Sequence, residues 1–313
     1  MTDQRKFIVV DSLDYAKKNC FVSQLIDALI LESKDKLQII NLEGLRYLAR
    51  DKNKISDQNL LFLVRQRIFY KHLDEISLLV GNATVDIYDQ DPWNSYMIDS
   101  PSFGFYEKMK KQIQLGTLFL TSKWWSDYVL EREKINTLFV KMWMAPKLCM
   151  DSGKRRTPLG FRGTLRGHRK NFFLDLQKMG IKVQIDRPGL KYRKYLKYLS
   201  SLQIFVHDES DYFVCDFGKV PMSYAMWVKD IEIAARGTFV IRNENQESTT
   251  YDVDRIPLIK TYKTISEIPE ILASINRLSE VESQIVRKTS VNYIIEKNYW
   301  KTTAQELLLK NRN

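Results

Sequence analysis

LGFRGTLRGHRKNFFLDLQKMGIKVQIDRPGLKYRKYLKYLSSLQIFVH, residues 159–207, decides the fold class. It reads as a strand ending in glycine (159–164), then a helix (167–180) closed by Gly180 at a C′ position. A strand (181–186), a helix (191–202) and a strand (203–207) follow. Short apolar strands alternating with helices build a parallel sheet covered on both faces. The alternation continues on either side. Toward the C-terminus come a helix over about 224–236, the strands TFVIRN (238–243) and LIKTY (258–262), and helical stretches at about 265–288 and 290–310. Toward the N-terminus, FIVVD (7–11), LQIINL (37–42), TVDIYD (84–89), TLFLTS (117–122) and TLFVKM (137–142) have the length of buried strands. LLFLVRQRIFYKHLDEISLLV (60–80) and FYEKMKKQIQL (105–115) read as helices between them.

WMAPKLCMDSGKRRTP (143–158) breaks the pattern with two prolines, a glycine and a basic run, and reads as a linker. The chain of 313 residues suits two domains. The expectation is an α/β protein of two doubly wound, Rossmann-like domains facing a central cleft. Residues 1–145 form the first, 146–157 the linker and 158–288 the second, with a C-terminal helix over 289–313. Ligands of open α/β sheets bind beyond the carboxyl ends of strands, so residues just after strands are the candidates for chemistry.

Composition narrows the function classes. The chain is 44% hydrophobic and 28% charged, ordinary for a globular protein, and holds no apolar run of the roughly 20 residues that span a bilayer. The opening MTDQRKFIVVDSLDY places Asp11 and Asp14 where a leader needs apolar residues, so a cytoplasmic protein is expected. Cys20, Cys149 and Cys215 form no C-x-x-C, and His72, His168 and His207 share no metal-ligand spacing. A His-rich metal site is therefore not expected. The net charge of +11 is concentrated: residues 151–200 hold 14 Lys and Arg against only Asp151, Asp175 and Asp186. Such a window attracts a polyanion, whether nucleic acid, a diphosphate or anionic lipid.

Three stretches carry candidate chemistry. In FRGTLRGHRK (161–170) a strand ends, a Gly-containing loop follows and a helix starts near Gly167. Backbone N–H groups there, with Arg162, Arg166 and Arg169, suit a pyrophosphate, although no G-x-G-x-x-G or P-loop is present. In WVKDIEIAARGTFVIRN (227–243), Glu232 suits the hydroxyls of a ribose, and Lys229 lies three residues earlier on the same helix face. In VDIYDQDPWNSY (85–96), Asp89 and Asp91 leave a strand beside Trp93, placed to act on a hydroxyl as base, with a ring to stack on a sugar. His207 ends a strand in IFVHDES, and the long loop 208–223 that follows holds Lys219 and Ser223. Trp93, Trp124, Trp125 and Trp143 concentrate aromatic surface in one region, either as core or as an acceptor or membrane-interface surface.

Glu232-Ile-Ala-Ala235-Arg-Gly237 followed by Thr-Phe-Val-Ile resembles the donor-site helix of GT-B glycosyltransferases of the group-1 kind, including CgeB-like proteins. The resemblance covers about residues 158–290. It implies that Glu232 binds the ribose of a nucleotide-sugar and that Lys229, with Arg162, Arg166 and Arg169, faces its diphosphate. It also implies that the terminal helix returns to the N-terminal domain, which would take the acceptor near Asp89 and Asp91. The strand-end place of His207 suits a residue contacting the donor sugar. Eight residues before Glu232, where many retaining members carry a second Glu, this chain has Tyr224, so no stereochemical outcome is implied. The implied activity is metal-independent, hexosyltransferase-like transfer from a nucleotide-sugar to a glycan or lipid-linked saccharide. Its setting is bacterial surface polysaccharide synthesis at the inner face of the membrane, with no cofactor beyond the donor. A nucleic-acid-binding protein using the 151–200 window and a GT-B-like sugar-nucleotide epimerase are the alternatives.

Overall fold

The computed structural model describes residues 7–11, 20–34, 37–50, 60–151, 155–165, 167–225 and 228–309. By internal contacts the chain divides into two units. The first is Met1–Met142 with Phe213–Val220 and Tyr299–Asn313; the second is Trp143–Tyr212 with Pro221–Asn298.

In the first unit, β1 (Phe7–Val10), α1 (Cys20–Ser33), β2 (Gln38–Ile40), α2 (Leu42–Ala49) and β3 (Leu60–Leu63) lead into the helices α3 (Gln66–Lys71) and α4 (Leu73–Val80). Then come β4 (Val85–Asp89), α5 (Phe105–Gln112), β5 (Leu115–Leu120), α6 (Lys123–Glu133) and β6 (Thr137–Phe139). The sheet is parallel, in the order β2-β1-β3-β4-β5-β6. Its direction of growth reverses between β1 and β3, the switch point at which open sheets bind ligands. Every residue of β1, β3 and β4 is buried, whereas the edge strands β2 and β6 are not. Strands buried on both faces read as continuous apolar runs.

β3 corrects the helix expected over 60–80. Leu60–Leu63 is a central strand pairing Phe7 on one side and Val85 on the other, and helices begin only at Gln66. LLFL has no period of its own, and it abuts a helical pattern that absorbed it.

In the second unit, β7 (Thr157–Arg162), α7 (His168–Lys178), β8 (Gln184–Asp186), α8 (Tyr192–Ser201) and β9 (Leu202–His207) follow the expected series. β10 (Tyr212–Cys215) and β11 (Gly218–Pro221) form a two-stranded sheet within the segment expected to be a plain loop. In β10, Phe213 and Cys215 point inward while Tyr212 and Val214 are exposed. Phe213 stacks on Trp93 at 4.7 Å, and Asp216 at the turn is ion-paired to Arg132 at 2.6 Å, all within the first unit. Then α9 (Lys229–Ala234), β12 (Phe239–Asn243), β13 (Ile259–Tyr262), α10 (Ile268–Asn276), α11 (Glu280–Lys297) and α12 (Tyr299–Leu308) complete the chain. The second sheet is also parallel, in the order β13-β12-β9-β7-β8, and it reverses between β7 and β9.

The terminal helices are three rather than two. A capping box of Ser279 and Glu282 starts α11, and Asn298 at φ +32° separates it from α12. α12 packs on α1 in the first unit, with Gln305 Nε2 donating to Glu32 Oε2 at 2.7 Å. In the second unit, Trp143 Nε1 donates to the Ile294 carbonyl at 2.8 Å. Among the described residues no helix is long and apolar enough to cross a membrane.

Candidate functional site

The best-supported site lies on the second sheet, at its switch point. Lys229 opens α9, and its ammonium sits 4.8 Å from the centre of the Phe161 ring and 4.7 Å from that of Phe205. Phe161 belongs to β7 and Phe205 to β9, so the cation stands over the two strands that flank the reversal. Lys229 is half-buried and has no hydrogen-bond acceptor among the described residues. Loss of water against the two rings lowers its pKa to about 8, with the Arg169 charge adding to this, while Glu209, Asp230 and Glu232 oppose it.

Glu232 is one helical turn along the same face. It is buried, and its Oε1 accepts from the Tyr192 hydroxyl at 2.7 Å. Burial pushes its carboxyl up to about 7, against the opposing effects of that hydrogen bond and the Lys229 charge. The glycine of the motif has a physical reason. Gly237 has φ +71°, and a Cβ there would lie 2.6 Å from Arg155 Nη2 and 2.8 Å from Asp151. Arg155 is itself fixed, donating to the carbonyls of Ser200 at 2.6 Å and of Arg236 and Gly237 at 2.9 Å. The linker arginine thus holds the turn between α9 and β12 rather than meeting a ligand.

Beneath Lys229 runs a chain of charged side chains that the sequence did not reveal as a unit. Arg242, on β12 and fully buried, pairs with Asp230. Asp230 Oδ1 bonds His207 Nε2 at 2.6 Å, His207 Nδ1 meets Glu209 Oε1 at 3.3 Å, and Glu209 Oε2 pairs with Arg169 at the start of α7. The Asn243 side chain accepts from the Glu209 amide at 2.8 Å. Burial alone would raise the Glu209 carboxyl. The hydrogen bond from His207 and the nearby positive charges, including Arg169 and Lys229, outweigh it and hold the group at about 2. Asp230 is likewise held below the usual range against its burial, chiefly by the Arg242 charge.

His207 has no exposed surface, and both its ring nitrogens are engaged. It faces carboxylates, not an open site, so its place is that of a support. Arg169 stays partly exposed, and its Nε is buried without a partner, as is the Nε of Arg162. Orphaned guanidinium donors of this kind are costly unless an acceptor arrives. Arg162 lies apart from the chain, its guanidinium 5.1 Å from the Tyr198 ring. Arg166 lies outside the described residues.

Asp89 and Asp91 belong to the first unit, at the carboxyl end of β4, one strand beyond that sheet's switch point. Asp89, at the end of β4, is buried and accepts from Tyr106 Oη at 2.8 Å, Gln66 Nε2 at 2.9 Å and the Asp91 amide at 2.9 Å. Burial raises its carboxyl against these three donors. The Asp91 carboxylate has no partner among the described residues and reaches solvent, although its recess and then the Asp89 charge raise its pKa. Both line a cavity of about 190 Å³ with Leu63, Arg65, Gln66 and Tyr88.

Trp93 is buried against Phe213 and so is packed rather than free to stack on a sugar; Trp125 and Trp143 are buried too, and Trp124 is half-buried. Lys219 is exposed on β11 and Ser223 is buried. A larger cavity of about 300 Å³ beyond β12, lined by Glu244, Asn245, Ser248, Asp254 and Thr261, holds none of the expected residues. Among the described residues, no three His, Cys, Asp or Glu side chains are grouped to hold a metal ion.

By sequence, no family model and no curated protein matches the chain. Solved structures do. An alpha-glucosyltransferase in complex with UDP-glucose and DNA containing an abasic site has a TM-score of 0.64 at 10% identity, over 97% of this chain and 99% of that one. An alpha,alpha-trehalose-phosphate synthase (UDP-forming) from Burkholderia vietnamiensis has 0.53 at 9%, over 97% and 98%. AviGT4, a glycosyltransferase involved in Avilamycin A biosynthesis, has 0.51 at 12%, over 96% and 95%. At such identities the likeness concerns architecture: two Rossmann-like units with parallel sheets, the fold of GT-B glycosyltransferases.

Proposed function

We propose that the protein transfers a sugar from a nucleotide-sugar to an acceptor hydroxyl, and that the second unit binds the donor. One observation carries this reading. A lysine without an acceptor, Lys229, stands over the switch point of the second sheet, one turn from the buried Glu232 and above a chain ending in Arg169. Switch points of doubly wound sheets bind phosphorylated ligands, and cations with orphaned donors call for an anion. Glu232 takes the ribose hydroxyls. Lys229 and Arg169, with Arg162 and Arg166 as further candidates, take the diphosphate. His207, Glu209 and Asp230 hold Arg169 in place.

In the reaction, the acceptor oxygen bonds to the anomeric carbon as the bond from that carbon to the diphosphate oxygen breaks. The electron pair leaves with the nucleoside diphosphate, whose growing charge Lys229 and Arg169 stabilise. The acceptor proton passes to a base. Asp91 suits that role, because its carboxylate is accessible and its affinity for a proton is raised. Asp89 holds the Asp91 backbone. The acceptor class we favour is a glycan or lipid-linked saccharide in surface polysaccharide synthesis. Kinship with the group-1, CgeB-like enzymes rests on Glu232-x-x-Ala235-x-Gly237. DNA is a second acceptor class, favoured by the alpha-glucosyltransferase whose complex contains DNA.

Thermal-shift measurements with UDP, GDP, CMP and ADP, and with short duplex DNA as control, test the reading. One nucleoside diphosphate should raise the melting temperature, and Glu232→Ala should abolish that shift while remaining folded. Stabilisation by DNA and by no nucleotide would turn the assignment to nucleic-acid binding. Conversion of the donor to an isomer, with no sugar released or transferred, would turn it to an epimerase.

A further inference from the structure

A second feature of the second unit lies outside the donor site. Residues 182–197 contain Lys182, Arg187, Lys191, Arg193, Lys194 and Lys197, all exposed. None of the six side chains makes a hydrogen bond or ion pair with a described residue. The only acid in the segment, Asp186, accepts from Gln184 Nε2 at 3.1 Å. Along the chain the segment forms an exposed basic ridge, running through the edge strand β8, the exposed turn 187–191 and the exposed positions 193, 194 and 197 of α8. Aliphatic side chains stand among the cations. Ile185 is 41% and Leu190 36% exposed, and Met179, just before the ridge, is 39% exposed. Tyr192, Tyr195 and Tyr198 are half-buried along α8.

We propose that the ridge Lys182–Lys197 is a docking surface for an anionic lipid bilayer. Its charge complements acidic headgroups, to which each cation near such a surface adds roughly fivefold in partitioning. The exposed Ile185 and Leu190 decide between polyanions. A phosphodiester backbone matches the cations and leaves the aliphatics in water. A bilayer takes the cations at its headgroups and the aliphatics at the acyl boundary, with tyrosines suited to the level between. The ridge also adjoins the donor site, because Tyr192 at the start of α8 donates to Glu232. Docking would bring that site to the lipid surface, where a lipid-linked acceptor resides. The docking claim itself does not depend on the sugar-transfer reading.

Flotation of the full chain with vesicles of phosphatidylcholine, alone or mixed with phosphatidylglycerol, tests it, with short duplex DNA binding measured in parallel. The wild type should float only with the anionic vesicles, and less so as salt rises. Arg187→Glu/Lys191→Glu/Arg193→Glu/Lys194→Glu should weaken that binding roughly a hundredfold or more. Ile185→Ser/Leu190→Ser should weaken it roughly tenfold and leave DNA binding unchanged. All six positions are exposed, so circular dichroism and melting should match the wild type. The proposal is overturned if the anionic vesicles are not preferred. It is also overturned if the aliphatic variant floats like the wild type while the charge variant loses DNA and vesicles alike, which would mark a nucleic-acid surface.

Discussion

If Lys229 binds the donor diphosphate, nucleotide affinity must fall as pH rises through the range in which this side chain loses its proton. Its pKa in the free protein is lowered to about 8, first by desolvation against Phe161 and Phe205. A bound diphosphate restores a counter-charge and brings that pKa back toward the ordinary lysine value of about 10.4. Only the protonated amine contributes binding, so the free protein must take up a proton before it binds at higher pH. Between pH 7 and pH 9 the fraction protonated falls from about nine-tenths to about one-tenth, so the dissociation constant should rise roughly tenfold, or about 1.4 kcal/mol. The second ionisation of the phosphate, near pH 6, is nearly complete across this range and does not obscure the effect. Isothermal titration calorimetry with the stabilising nucleoside diphosphate measures it directly. The parent nucleoside should show no such fall, and Lys229→Arg, which stays charged, should remove it from the diphosphate profile; Glu232, with its carboxyl at about 7, completes its ionisation over the lower part of the range in every case. A wild-type affinity constant from pH 7 to 9 would refute the role given to Lys229.

Three further outcomes follow from the same site. Lys229→Met should raise stability at pH 7 by about 3 kcal/mol while weakening nucleotide binding, because a lysine whose folded pKa lies below its unfolded one destabilises the fold wherever it is charged. That cost is fully present below about pH 8 and fades as pH approaches 10.4, so chemical denaturation of the wild type across this range should show stability rising. Asp230→Ala should cost about 3–5 kcal/mol, because it leaves Arg242 buried and unpaired; denaturant melts of Asp230→Ala and the Asp230→Ala/Arg242→Met double variant should show the second partly restored. Gly237→Ala should cost about 1–3 kcal/mol in the same assay, since φ +71° and the contact with Arg155 both oppose a side chain.

Sequence pattern carried most of the architecture, for identifiable reasons. Parallel strands buried on both faces stand out as apolar runs such as FIVV and QIFVH, and helices such as 168–178 end at a glycine. Leu60–Leu63 was lost because a buried strand adjoining a helix has no period to separate them. β10 and β11 were lost because the turn Asp216–Phe217 has no Asn-Gly or Asp-Gly signal, although YFVC does alternate between buried and exposed positions. At the site, Glu232 and Lys229 could be found from helix spacing and from the strand that follows. Asp230 and Arg242 could not. Their pairing with His207 spans the packing of α9 on β9 and β12, and only the oddity of an arginine in the buried strand FVIRN hinted at it. The strand-end place of His207 is legible in IFVHDES, but its two carboxylate partners are set by packing.

Cleavage of the nucleotide-sugar is the most direct measure of the central claim. Incubation of the protein with a panel of nucleotide-sugars, with water as acceptor and product masses as readout, should release one sugar and its nucleoside diphosphate. That release should be lost in Glu232→Ala and Arg169→Ala under conditions where both remain folded. A donor panel left intact by the wild type, or release undiminished in both variants, would contradict a donor site built on Lys229, Arg169 and Glu232.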